Sequence, residues 1–153
     1  MQKLDILNYD RASLEQELSQ NFNLQPFRAR QIISWLYKRR LTSFDQMTDI
    51  SKDVRTLLEK NFYISRPKQV TVQKSKDGTR KYLFEVEDSY KIESVLIAQA
   101  SRYTLCISSQ VGCAIGCKFC ATAQMGLKRN LKTSEIIGPV SYTHLTLPTI
   151  YSV

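Results

Sequence analysis

The hydrophobic period changes once along this chain, and that change sets its architecture. Up to Phe62 apolar residues recur at helical spacing, with Leu14, Leu18 and Phe22 each four residues apart behind Asp10, a residue suited to capping a helix start. Pro26 suits a first helical position, and Ala29, Ile32, Ile33 and Leu36 follow it as one stripe. Ser43 starts a short turn carrying Phe44 and Met47, and Ser51 caps a further helix whose buried side is Val54, Leu57, Leu58 and Phe62. Helices this short and polar are stable only against one another's apolar faces, so a small helical bundle is expected.

From Gln69 the spacing drops to two. Gln69-Val70-Thr71-Val72-Gln73 is β-branched, Asp77-Gly78 is a hairpin turn signal, and Tyr82, Phe84 and Val86 alternate beyond it. After Glu87-Asp88-Ser89, the runs Ile92 to Ile97 and Tyr103 to Ser108 read as a third and a fourth strand, and Thr133 or Ser134 opens a helix holding Ile136 and Ile137. The expected class is therefore α/β. A strand, a loop and a helix in this order match the opening unit of an α/β barrel, where ligand loops follow strand C-termini. Trp35, Met47 and Met125 read as packing residues.

The loop between that fourth strand and that helix holds Gly112-Cys113-Ala114-Ile115-Gly116-Cys117-Lys118-Phe119-Cys120, with thiols at Cys-x3-Cys-x2-Cys spacing. A closed structural zinc site takes four protein ligands. An iron–sulfur cube held by three cysteines keeps one iron open to a substrate or cosubstrate. The four cysteines of the chain crowd between Cys106 and Cys120, where disulfides would staple only a short loop. The start Met1-Gln2-Lys3-Leu4-Asp5 is not a signal peptide, and no apolar run reaches the length of a membrane span. A reducing, cytoplasmic setting is expected.

The 153 residues are 42% hydrophobic, enough for a core, and carry a formal charge of +8. The cations cluster. Arg28, Arg30, Lys38, Arg39 and Arg40 share one expected helix; Arg66, Lys68, Lys74, Lys76, Arg80 and Lys81 form a second group; Arg102, Lys118, Lys128, Arg129 and Lys132 surround the cysteines. Any one group reads as a solvated face, but three together favour a polyanion such as RNA. From Val140 the helical pattern is abandoned, and Val140 to Thr149 resembles translated sequencing-library adapter. Residues 140–153, with the lone histidine His144, are set aside as a foreign tail, and most of a barrel is expected to be missing.

Several phrases carry a family resemblance: Phe27-Arg28-Ala29-Arg30-Gln31-Ile32, Asp77-Gly78-Thr79-Arg80-Lys81-Tyr82-Leu83-Phe84, Ile92-Glu93-Ser94-Val95-Leu96-Ile97, and Thr104 to Cys113 running on through Cys117-Lys118-Phe119-Cys120-Ala121-Thr122-Ala123-Gln124 and Arg129-Asn130-Leu131. With them the chain resembles the N-terminal third of a radical S-adenosylmethionine (SAM) adenine-C2 methyltransferase of the RlmN type, acting on large-subunit rRNA and on tRNA. The resemblance implies a helical RNA-binding accessory domain over 1–66, a β-hairpin and strand region over 67–98, and over 99–139 the start of a truncated radical SAM (β/α) barrel. It implies a [4Fe–4S] cluster on Cys113, Cys117 and Cys120, SAM on its open iron, and Phe119 beside the SAM adenine. Adenine C2 is a poor nucleophile, and the family loads a methyl group on a protein cysteine before a radical step joins it to C2. Glu93 would accept the C2 proton, and Cys106 would resolve the enzyme–RNA adduct by forming a disulfide with the methyl carrier, which has no counterpart here. An electron donor such as flavodoxin and a monomeric state are expected, and this chain alone would not methylate.

The residues by themselves leave other readings open. Cys106 could complete a four-thiolate zinc site in a non-catalytic RNA-binding module, or be a small apolar strand residue. Glu93 could be a solvent-facing acid. A related adenine-C8 methyltransferase shares the triad; the Asp77-Gly78-Thr79 and Gln110-Val111-Gly112 phrases lean toward C2.

Overall fold

The computed structural model describes residues 3–39, 41–100 and 102–143. The chain divides into two compact units between Ser65 and Arg66.

The first unit is helical. Its elements are β1 (Leu4–Asp5), a 3₁₀ turn (Ile6–Asn8), α1 (Arg11–Phe22), α2 (Phe27–Lys38), a second 3₁₀ turn (Phe44–Gln46), α3 (Lys52–Asn61) and β2 (Phe62–Tyr63). Asp10 starts α1 as a capping box: its carboxylate accepts from the Ser13 amide at 2.8 Å, and the Ser13 hydroxyl accepts from the Asp10 amide at 3.0 Å. Pro26 lies one residue before α2 with helical backbone angles, so the helix starts one position later than its sequence suggests. Ser51 precedes α3, but its hydroxyl makes no capping bond; the helix rests on the buried Leu58 and the half-buried Val54 and Leu57 instead. Leu14, Leu18, Ile32, Leu36, Met47, Leu58 and Phe62 form one core, each at most 1% exposed. Each such burial contributes roughly 1.5–3 kcal/mol. Trp35 packs there too, and its indole N–H donates to Asp49 at 2.5 Å.

Beyond the expected bundle, β1 and β2 pair in parallel, Leu4 opposite Phe62 and Asp5 opposite Tyr63. Two-residue strands carry no readable period. The buried Asp5 carboxylate holds this seam by accepting from the Leu7 amide at 3.1 Å and the Ser65 hydroxyl at 2.6 Å.

The second unit is built on a four-stranded antiparallel meander in the order β3 (Lys68–Lys74), β4 (Arg80–Glu85), β5 (Lys91–Gln99) and β6 (Arg102–Cys106). The Asp77-Gly78 turn forms as expected: Gly78 has φ +87°, and the Asp77 carboxylate accepts from the Thr79 amide at 3.0 Å. One sheet face buries Tyr82, Phe84, Ile92 and Leu96, against which Ile136 and Tyr142 of α5 (Thr133–Thr143) pack. The break expected at Val140 is not present: α5 runs through Pro139 to Thr143. Tyr142 explains the continuation, with its ring 5.0 Å from Phe84 and its hydroxyl donating to the Pro67 carbonyl at 2.6 Å. His144 and the rest of the expected tail lie outside the described residues, as does Arg40.

The fold is thus mixed α/β, and among the described residues of the second unit every strand pairing is antiparallel, with no barrel closed. No helix among the described residues is long and apolar enough to cross a membrane.

Candidate active site

The cysteine segment is a loop with a closed neck. After β6 the chain forms β7 (Gln110–Val111), runs through residues 112–128 with one short helix, α4 (Ala121–Gln124), and returns as β8 (Arg129–Asn130) antiparallel to β7. Bonds from the Lys128 amide to the Val111 carbonyl and from the Leu131 amide to the Ser109 carbonyl, both 2.9 Å, extend the neck on either side. Gly112 is required here, because a Cβ on it would lie 1.8 Å from the Gly126 carbonyl oxygen, and its φ is +77°.

An ion-pair network anchors this neck. Arg129 forks onto Glu135 of α5 at 2.7 and 2.8 Å and reaches Asp88, in the turn between β4 and β5, at 2.5 Å. Glu135 is 3% exposed and also accepts from the Lys132 amide at 2.9 Å. Lys132 pairs with Glu87 at 2.7 Å. The hydrogen bond from Arg129 holds the Asp88 carboxyl below its ordinary value, and the one to Glu87 raises the Lys132 ammonium. Two of the five cations read as surrounding the cysteines are thus engaged by acids distant in sequence. Sequence reading missed this clasp; its only trace was the Lys128-Arg129-Asn130 run followed by Glu135.

Within the loop, Cys113, Cys117 and Cys120 are half-buried and Cys106, on β6, is exposed; all four thiols are free. The Cys113 sulfur accepts from the Ile115 amide at 3.5 Å, and the Cys120 amide donates to the Cys117 carbonyl at 3.1 Å. In kind, this donor set suits an iron–sulfur cluster: three accessible thiols, no competing disulfide, one closed loop. The arrangement does not draw them into a single ligand group, since no set of three His, Cys, Asp or Glu side chains among the described residues is placed to hold a metal ion. Phe119 is 92% exposed and Ile115 78%. Met125 is exposed as well rather than packed, because the loop turns its apolar side chains outward.

The sheet brings the other two candidates onto one face. Along β5, Ile92, Ser94 and Leu96 are buried, so Glu93, Val95 and Ile97 point the other way. Cys106 pairs with Val95 and therefore shares that outer face; Glu93 is its diagonal neighbour, at a Cα separation of roughly 7–8 Å. Glu93 is half-exposed, its carboxylate meets the Lys81 ammonium at 2.7 Å, and its carbonyl accepts from the Ser108 hydroxyl at 2.8 Å.

Comparison with known proteins fits this geometry. The pattern of the family "Ribosomal RNA large subunit methyltransferase N-terminal domain" matches residues 4–64. A "Dual-specificity RNA methyltransferase RlmN" of Desulfosudis oleivorans is 53% identical over 136 residues, 89% of this chain and 36% of the relative. One from Alkalilimnicola ehrlichii is 46% identical over 145 residues, 94% of this chain and 40% of the relative. The crystal structure of a radical SAM methyltransferase from Sphaerobacter thermophilus superposes with a TM-score of 0.80 at 37% identity, over 91% of this chain and 41% of that one. The chain thus spans 36–41% of the length of these proteins. The fold is therefore similar to part of a methyltransferase of the radical SAM class. Within that class the chain resembles a fragment of the RlmN type.

Proposed function

We propose that this chain supplies the RNA-binding helical domain and the cluster loop of a radical SAM enzyme that methylates C2 of adenosine in large-subunit rRNA and tRNA. The observation that carries the reading is the convergence of Glu93 and Cys106, both exposed, on one sheet face, from which the chain leads directly into the triad loop. Cys113, Cys117 and Cys120 would hold a [4Fe–4S] cluster, and the exposed Phe119 ring offers a surface for the SAM adenine. With SAM bound, such a cluster supplies the one-electron chemistry that an unactivated aromatic carbon requires, fed by a donor such as flavodoxin.

The residues of the chain divide the remaining work. Glu93 Oε accepts the proton leaving adenine C2, and in the chain without RNA that carboxylate is paired with the adjoining Lys81. Cys106 Sγ, exposed and free, is the thiol that pairs with the methyl-carrying cysteine as the RNA is released. That carrier has no counterpart among the four cysteines present. The cations of α2, Arg28 and Lys38 among them, give the helical domain its attraction for phosphates in the cytoplasm.

Anaerobic reconstitution of the purified chain with iron and sulfide tests the reading. The expected result is a broad visible charge-transfer band that disappears in Cys117→Ala and shifts on adding SAM. Stoichiometric, colourless zinc bound in its place would overturn it.

A further inference from the structure

The outer face of the sheet carries more than the two groups assigned to chemistry. Strand pairing lays its side chains out in rows. One row across four strands reads Gln73, Lys81, Val95, Cys106; the adjoining row reads Thr71, Leu83, Glu93. Thr71, Gln73, Lys81, Leu83 and Glu93 together line a shallow depression on this face. Its floor is apolar, from Leu83 with Val95 alongside, and its rim offers an amide, a hydroxyl, an ammonium and the Glu93 carboxylate paired with that ammonium. That combination suits a nucleotide: a flat ring lies on the floor, and polar groups meet the sugar, the base edge and the phosphate.

Charge complementarity selects the occupant. Counting the outward residues of the four strands, Lys68, Lys81, Lys91 and Arg102 outnumber Glu85 and Glu93. Lys81 is the cation within the row of Cys106, and its ammonium rests on Glu93 with 45% of its side chain exposed. An exposed pair of this kind contributes little to stability, so a phosphate can take the ammonium at small cost.

We infer that the Thr71–Gln73–Lys81 corner is a subsite for the ribonucleotide adjoining the target adenosine, in which Lys81 exchanges the Glu93 carboxylate for an RNA phosphate while Gln73 and Thr71 contact the sugar and base edge. The inference rests on the methyltransferase reading for the identity of the target, but not for the binding itself. It gives the Lys81–Glu93 pair a purpose: Glu93 is released as a free carboxylate only when RNA is seated beside it. Lys81 is accordingly a positioning residue.

Binding of a 5′-fluorescein-labelled single-stranded octaribonucleotide to the full chain, read by anisotropy across a salt series, tests this. Lys81→Met is expected to weaken binding at least fivefold and reduce the slope of log K against log salt by about one, with Lys81→Arg restoring most of it. Gln73→Ala is expected to weaken it about threefold. Lys76→Met, at the hairpin tip and equal in charge lost, should cost less than twofold. If Lys81→Met and Lys76→Met weaken binding equally, or Lys81→Met leaves it unchanged while its circular dichroism matches the parent, the subsite is wrong. Iron uptake by the same Lys81→Met protein separates the two readings: an intact visible band beside unchanged RNA binding removes only the subsite, whereas absence of iron in parent and variant removes only the enzymatic assignment.

Discussion

The helical unit and the cysteine loop use apolar residues in opposite ways. Leu14 and Leu58 sit at 0% exposure inside the helical core, whereas Phe119 stands at 92% and Ile115 at 78% in the loop. One region stabilises itself by burial; the other depends on a neck of short strands and a charged clasp, and leaves Ile115 and Phe119 largely exposed. The difference teaches that the burial stabilising this chain lies apart from its cysteine loop. Substitutions can test the separation one region at a time.

The largest effect is expected at the clasp. Arg129→Met leaves Glu135 as a buried carboxylate without its guanidinium, which should cost the sheet unit about 3–5 kcal/mol. Hydrogen exchange would register it as lost protection at β7 and β8, with α1 to α3 unchanged; uniform loss across both units would break the comparison. Next, Leu14→Ala should remove roughly 2–5 kcal/mol from the helical unit and leave the neck amides protected. Thermal unfolding followed by the Trp35 fluorescence would report it.

A smaller effect follows from acid. The Arg129 hydrogen bond depresses the Asp88 carboxyl, so its stabilising contribution is present above the unfolded carboxylate range and is lost as pH falls through the lowered folded value. The melting temperature of the sheet unit should therefore decline on acidification, and Asp88→Asn should flatten that decline; an unaltered acid limb would count against the clasp. The pair is partly exposed and the contribution modest. Smallest of all, Phe119→Ala should change stability by less than about 0.5 kcal/mol, because truncating an exposed ring leaves no cavity. A marked loss of melting temperature there would show that the ring packs against protein after all.

Much of this was legible in advance because it rests on local rules. Asp10 and Asp77-Gly78 place a helix start and a turn through their own side chains and backbone, and the period-two run from Ile92 puts Glu93 opposite the core without reference to any partner. What escaped the sequence rests on residues far apart in it. The Arg129–Asp88 contact spans 41 positions and the Asp5–Ser65 contact spans 60, and no spacing rule joins such pairs. Met125 read as packing and is exposed, because hydropathy alone does not tell a core residue from one displayed on a loop. Tyr142 erred in the other direction, since a ring that reaches Phe84 extends α5 past Pro139.

The doorway at Gly112 and Gly126 has a mechanical corollary. Because the segment enters and leaves through one fixed pair of strands, its interior can reshape around a guest without moving the floor that holds Glu93 and Cys106.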